Sequence, residues 1–223
     1  MGEGSAAVRW GAALPLLLFA ACSDAPETPA PSPSPELTPD KPRTLIPADL
    51  ATVRFGGRIE GPEGPEVEGS FTLDGETLAE MVSYVACPEG VASCDPAGLP
   101  DDTVYTYVHR VTPAEGVESG AVFRTARRAP GFANGVGFDR HEADMALGED
   151  GEIDVSADNG ALVWRVVGGD GWRAGETITF YWQSTLPPEG PAEAYQFEAD
   201  DSTGLGRGPF PPREKPVDET GAR

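Results

Sequence analysis

Apolar and polar residues alternate with period two along much of the chain. From 161 to 185 it reads ALVWRVVGGDGWRAGETITFYWQST. Leu162, Trp164 and Val166 alternate along one run. After a Gly-rich connection, Ile178, Phe180 and Trp182 alternate again, with Thr177, Thr179 and Gln183 between. This spacing predicts two strands, paired antiparallel and burying one face. Trp164 and Trp182 are expected at the centre of the core, being the largest apolar side chains there.

The same period recurs upstream. Residues 52–60, 67–73 and 79–85 read as strands, with a turn at 60–66 and a hairpin turn at Asp74-Gly75. Residues 103–112 (TVYTYVHRVT) form a longer strand, with Tyr105, Tyr107, His109 and Val111 on one face and Val104, Thr106, Val108 and Arg110 on the other. Residues 117–126 follow as a strand, 129–139 are Gly-rich and irregular, and 192–199 (AEAYQFEA) read as the closing strand. Helical periodicity is almost absent. The expected fold is all-β, a single antiparallel sandwich over 51–200.

Composition sets the limits of that domain. The chain has 223 residues, with 28 Gly and 23 Pro. With both ends read as unstructured, a folded part of about 150 residues buries roughly 70% of its unfolded surface, enough for a real core. Residues 201–223, rich in Gly, Pro and charge, are expected as a disordered tail that includes the GLGRG at 204–208. That run follows no βαβ unit and is not a phosphate loop. The net charge of −21 argues against nucleic acid as a partner and against docking on anionic lipid through basic patches. Its plain consequence is solubility.

The N-terminus changes the picture. Arg9 precedes an apolar run that ends in Phe19-Ala20-Ala21-Cys22. This is the plan of a secretory signal over residues 1–21, and the run is well short of the roughly 20 residues a membrane span needs. It resembles a bacterial lipoprotein signal peptide. That resemblance implies that Cys22 is lipidated, by acyl chains such as palmitate, and becomes the first mature residue. Phe19 stands where Leu is usual, Pro15 interrupts the apolar run, and Glu3 accompanies the single Arg. A plain secretory signal with a chance cysteine is the alternative. In such lipoproteins an aspartate directly after the cysteine favours the inner membrane. Ser23 there, with Asp24 one place later, favours the outer membrane. Residues 22–50 then hold the lipidated cysteine and a Pro-rich linker, which at about 3.1 Å per residue reaches roughly 75 Å. Its plain role is a tether.

The combination Tyr105-Thr106-Tyr107-Val108, Leu162-Val163-Trp164, Ala174-Gly175-Glu176-Thr177, Phe180 and Ser184 resembles the β-sandwich ectodomains of bacterial surface proteins with PEP-CTERM-type sorting tails, over about residues 103–198. The resemblance implies a scaffold and carries no catalytic residue across. Without the hydrophobic sorting tail at the C-terminus, Cys22 would serve as the anchor.

Candidate chemistry is sparse. Cys87 and Cys94 are spaced too loosely for a zinc knuckle and lack a His pair; in an exported chain they read as a local disulfide. Lipidating Cys22 leaves that one pair out of three cysteines. His109 reads as a packed or rim side chain, with no partner at metal-ligand spacing. Eight carboxylates fall within 139–158, and Glu149, Asp150, Glu152 and Asp154 around the turn 148–151 are the best candidate metal ligands. A hard cation would relieve their repulsion, and calcium suits an exported protein. The plainer reading is a solvated acidic loop. Trp172 is the candidate for an exposed binding surface, and a lid over the end of the sandwich is its other reading. No Gly-x-Ser-x-Gly elbow or His-Glu-x-x-His is present, and with only His109 and His141 a His-based triad has few possible members. The expected function is a lipid-anchored, envelope-exposed binding or structural module, with a protein or glycan of the envelope as partner. The alternative is a secreted glycan hydrolase using a carboxylate pair.

Overall fold

The computed structural model describes residues 41–213. Cys22, the lipobox-like residues 19–22 and most of the linker lie outside the described residues. Within them the protein is mostly β. The strands are β1 (Arg43–Leu45), β2 (Ala48–Asp49), β3 (Phe55–Arg58), β4 (Val67–Leu73), β5 (Glu76–Pro88), β6 (Tyr105–Pro113), β7 (Gly120–Thr125), β8 (Phe132–Phe138), β9 (Glu152–Asp158), β10 (Ala161–Gly168), β11 (Ile178–Ser184), β12 (Gly190–Ala199) and β13 (Ser202–Phe210). One helix, α1 (Arg140–Leu147), lies between β8 and β9.

All thirteen strands belong to one hydrogen-bonded sheet, in the order β1-β9-β10-β7-β12-β13-β4-β5-β6-β11-β8-β2, with β3 added beside β5. The sheet curls strongly into a half-barrel. Phe123 on β7 and Phe180 on β11 are six places apart in that order, which in a flat sheet would be roughly 29 Å. Their ring centroids are 4.9 Å apart. The indole N–H of Trp164 on β10 donates to the carbonyl of Gly137 on β8 at 3.0 Å, eight places away. Phe123 is the hub of the core and also meets Phe71, His109, Trp164 and Tyr195, whose rings come from four further strands.

The two ends of the sheet are joined by a strap. β1 pairs with β9 at one end (Arg43↔Ala157, Thr44↔Ser156, Leu45↔Val155). Only Ile46 and Pro47 intervene before β2 pairs with β8 at the other (Ala48↔Gly137, Asp49↔Phe138). Three residue steps reach at most about 11 Å, so the outer edges of β8 and β9 face each other across a narrow seam. Gly137 permits this closure: a Cβ there would lie 1.8 Å from the carbonyl oxygen of Ala48. The Arg140 guanidinium donates to the Pro47 carbonyl at 3.3 Å and secures the bend.

Several expectations are corrected. β10 and β11 do not pair; β10 lies between β9 and β7, and β11 between β6 and β8. Their tryptophans are nevertheless fully buried. The first strand among the described residues starts at Arg43, inside the expected linker 22–50, and the expected strand 52–60 is a 3-10 turn followed by β3. The antiparallel rule breaks at β2 and β8, which run parallel. The irregular stretch 129–139 contains β8. The acidic stretch starts with α1, whose first turn is capped by Asp139 accepting from the Glu142 amide at 3.0 Å.

Of the expected disordered tail 201–223, Ser202–Phe210 is strand β13, which pairs along its length with β12 and meets β4, while 214–223 lie outside the described residues. Asp200 and Asp201 form the two-residue turn, both with positive φ (48° and 62°), the backbone of a hairpin turn matched to strand twist. Asp200 gains support from its carboxylate, which accepts from the Glu118 and Ser119 amides at 2.9 Å each. Gly204, Gly206 and Gly208 are spaced by two; Gly204 lets the β4 backbone come close, and Gly206 and Gly208 let aromatic rings lie against β13. A Cβ at 206 would be 2.5 Å from Phe71, and one at 208 would be 3.1 Å from Tyr195.

Candidate functional site

Of the side chains singled out in the sequence, His109 is held most firmly. β6 places it opposite Ser83 of β5, in register, and both are fully buried. The Ser83 hydroxyl and His109 Nδ1 are 2.9 Å apart, and the Trp182 Nε1–H donates to His109 Nε2 at 3.3 Å. An indole nitrogen can only donate. Nε2 must therefore accept, and the neutral ring carries its proton on Nδ1, which donates to Ser83. Burial alone pushes the His109 pKa down to about 3. A serine beside a histidine suggests a nucleophile and its base, but here both are sealed under rings: Tyr195 lies 4.4 Å from the imidazole centroid. This is a satisfied polar knot in the core. Tyr107 and Tyr195 follow the same rule, donating to the carbonyls of Leu186 and Pro209 at 2.9 and 2.8 Å, and burial raises both phenol pKa values well above the usual range.

Trp172 is not an exposed binding surface. It is fully buried, packed on Phe180 and Phe197 at 5.6 and 5.2 Å, with its indole N–H donating to the Glu176 carbonyl at 2.6 Å. The reading as a lid is the one that fits, since burial of so large an apolar body outweighs display. Gly120 makes room for it; a Cβ there would be 3.1 Å from the indole.

The candidate metal ligands are not gathered. Glu149 and Asp150 sit on the turn between α1 and β9, and Glu152 and Asp154 alternate along β9 as exposed positions. Among the described residues no group of three or more His, Cys, Asp or Glu side chains is arranged to hold a metal ion. The strand fixes this: Ile153 and Val155 must face the core, so the carboxylates between them point outward, one every second residue. Asn159-Gly160 is a hairpin turn with φ of 49° and 79° between β9 and β10.

Cys87 and Cys94 form a disulfide, with Cα atoms 5.6 Å apart. It ties the end of β5 to the loop that follows and joins no distant strands. Gly56 and Gly57 of β3 lie tight against this loop, where a Cβ would come 2.2 Å from the Pro88 carbonyl oxygen or 2.3 Å from that of Ala92.

Surface clefts remain as places where a ligand could sit. One lies at the seam, between Phe132 of β8 and Ala157 and Leu162 of β9 and β10, with a volume of about 390 Å³. Its other walls are Lys41, Arg43, Arg128, Ala129, Asn159 and Gly160. No carboxylate lines it. Four further clefts each carry at least one Asp or Glu. The most apolar of these, about 210 Å³, is walled by Pro62, Pro65, Pro188, Pro191 and Pro209 beside Tyr84. Arg58 covers that tyrosine at 3.8 Å and pairs with Glu66. Sequence reasoning missed the seam cleft because its walls come from three stretches of chain far apart in sequence.

No protein-family model, curated protein or solved structure matches this chain.

Proposed function

We propose that this protein is a lipid-anchored module of the bacterial cell envelope, which presents a rigid β domain for binding or structural interaction. The observation that carries this reading is the order of its parts. Phe19-Ala20-Ala21-Cys22 ends an apolar N-terminal run, and a Pro-rich stretch leads from it to Lys41, just before the strap. We read the curled sheet as a single β-sandwich in which Phe123 marks where the two inner faces meet, a geometry suited to holding loops and clefts outward. Cys22 carries the acyl chains, and three such chains exceed what stable anchoring requires. Ser23 directs the protein to the outer membrane. Its partner is a protein or glycan of the envelope.

The test is membrane partition of the full chain against Cys22→Ser, with labelled palmitate and mass analysis of the mature N-terminus. The wild type should fractionate with membranes and take up label. Cys22→Ser should remain unprocessed and unlabelled. A soluble wild type with an unmodified N-terminus would overturn the anchoring, and turnover of a polysaccharide by the purified chain would replace a binding role with the hydrolase one.

A further inference from the structure

The seam cleft is cationic in a chain whose net charge is −21. Lys41 and Arg43 come from the stretch that leads into and begins β1. Arg128 lies against the Asn159-Gly160 turn; a Cβ at Gly160 would be 2.8 Å from its side chain. Arg128 is itself partnered, so it acts as a wall, and Lys41 and Arg43, both exposed, supply the charge for a ligand. The floor is apolar: Leu162 is fully buried, with Ala129, Ala157 and Phe132 around it. Two exposed cations two residues apart, beside an apolar wall, raise the free energy of the empty cleft, because like charges repel and the wall is wetted without being solvated well. An anion with an attached apolar group relieves both. The volume of about 390 Å³ falls within the range of small-ligand sites.

We propose that this cleft binds a small amphiphilic anion, a phosphate monoester or carboxylate carried on a compact apolar group. The anion is held between Lys41 and Arg43, and the apolar group rests on Phe132 and Ala157. Arg43 lies on β1, so a bound anion also holds the strap against β9. The site is independent of the lipid anchor: it survives if Cys22 proves unmodified, and it fails without touching the anchoring result.

The experiment uses the full chain bearing Cys22→Ser, titrated with phenyl phosphate, inorganic phosphate and phenol while backbone amide shifts are followed. Phenyl phosphate should saturate with millimolar or tighter affinity, with shifts confined to residues 41–45, 128–132 and 157–162. Inorganic phosphate and phenol should each bind at least about tenfold more weakly, since each offers half of the recognition. Arg43→Ala should weaken phenyl phosphate about tenfold, the worth of a charge-assisted hydrogen bond. Lys41→Ala, which lies outside any strand and leaves the pairing of β1 intact, should weaken it about threefold. No saturation up to about 20 mM, shifts centred elsewhere, equal binding of the three probes, or undiminished affinity in Lys41→Ala would overturn the proposal.

Discussion

His109 accepts the indole proton of Trp182 on Nε2, and this single contact fixes the tautomer of the only buried titratable imidazole among the described residues. Protonating Nε2 would set two N–H groups against each other in a site that water does not reach. The folded-state pKa near 3 lies below the ordinary 6.5. Below pH 6.5 the unfolded chain therefore takes up a proton that the folded chain refuses. The His109 contribution is fully present above pH 6.5 and is lost as the pH falls towards 3, by up to about 4 kcal/mol. Denaturant midpoints at pH 7, 5 and 4 should fall accordingly. His109→Gln, which can accept from Trp182 and donate to Ser83, should start lower at pH 7 but lose less on acidification. An unchanged slope would separate His109 from the acid response.

Closure of the seam depends on the absence of a side chain at 137. Because the atom that a Cβ would strike is the Ala48 backbone oxygen, no rotamer change can relieve it. Gly137→Ala should displace β2, with a cost of about 1–3 kcal/mol. Hydrogen exchange should show the loss at the β2–β8 pairs while the β12–β13 amides stay protected.

On β13 the same reasoning gives a second substitution. Gly206→Ala drives a methyl into the Phe71 ring, which is fully buried against Phe123 and Phe197 and has nowhere to turn. The expected loss is again about 1–3 kcal/mol, read as a lower urea midpoint. A wild-type midpoint would mean that residues 202–210 do not pair as described.

Removing the disulfide tests a different term. The eight-residue segment closed by Cys87 and Cys94 should contribute about 2.5 kcal/mol through the unfolded chain. Cys87→Ser with Cys94→Ser should lower the melting temperature without altering the paired strands on the far side of the sheet. Two free thiols in the untreated protein would contradict the bridge.

Trp172 separates packing from recognition. Trp172→Ala removes a fully buried indole and its hydrogen bond and should cost about 3–5 kcal/mol, whereas Trp172→Phe should recover much of that through the contacts with Phe180 and Phe197. Equal stability of the two variants would point back to a surface role.

What could be read from the sequence was whatever announces itself locally. The β4 bounds, the Asp74-Gly75 turn (φ 52° and 88°) and the local disulfide all follow from period two, turn chemistry and cysteine spacing. Partner choice did not: β10 and β11 are neighbours in sequence yet bond to other strands, because short-range alternation specifies a face and not a partner. β13 looked like a tail for a related reason. Its glycines give no apolar signal, and their purpose appears only once Phe71 and Tyr195 are laid on them. The short α1 was hidden by its charge, although its N-cap Asp139 and the alanines at 143 and 146 are helix features. The candidate metal and Trp172 sites failed through geometry: strand alternation separated the carboxylates, and the core absorbed the indole.

The strap has a mechanical consequence. Tension applied to the chain just ahead of β1 reaches the described sheet at Arg43, at the outer end of a three-residue strand. Antiparallel pairs loaded from one end open in sequence, so Arg43–Ala157 parts first and Leu45–Val155 last, before load reaches β2. The pairing that keeps the two edges of the sheet together is thus also the first to feel a pull from that side. Yielding there would leave the aromatic core, centred on Phe123, unloaded.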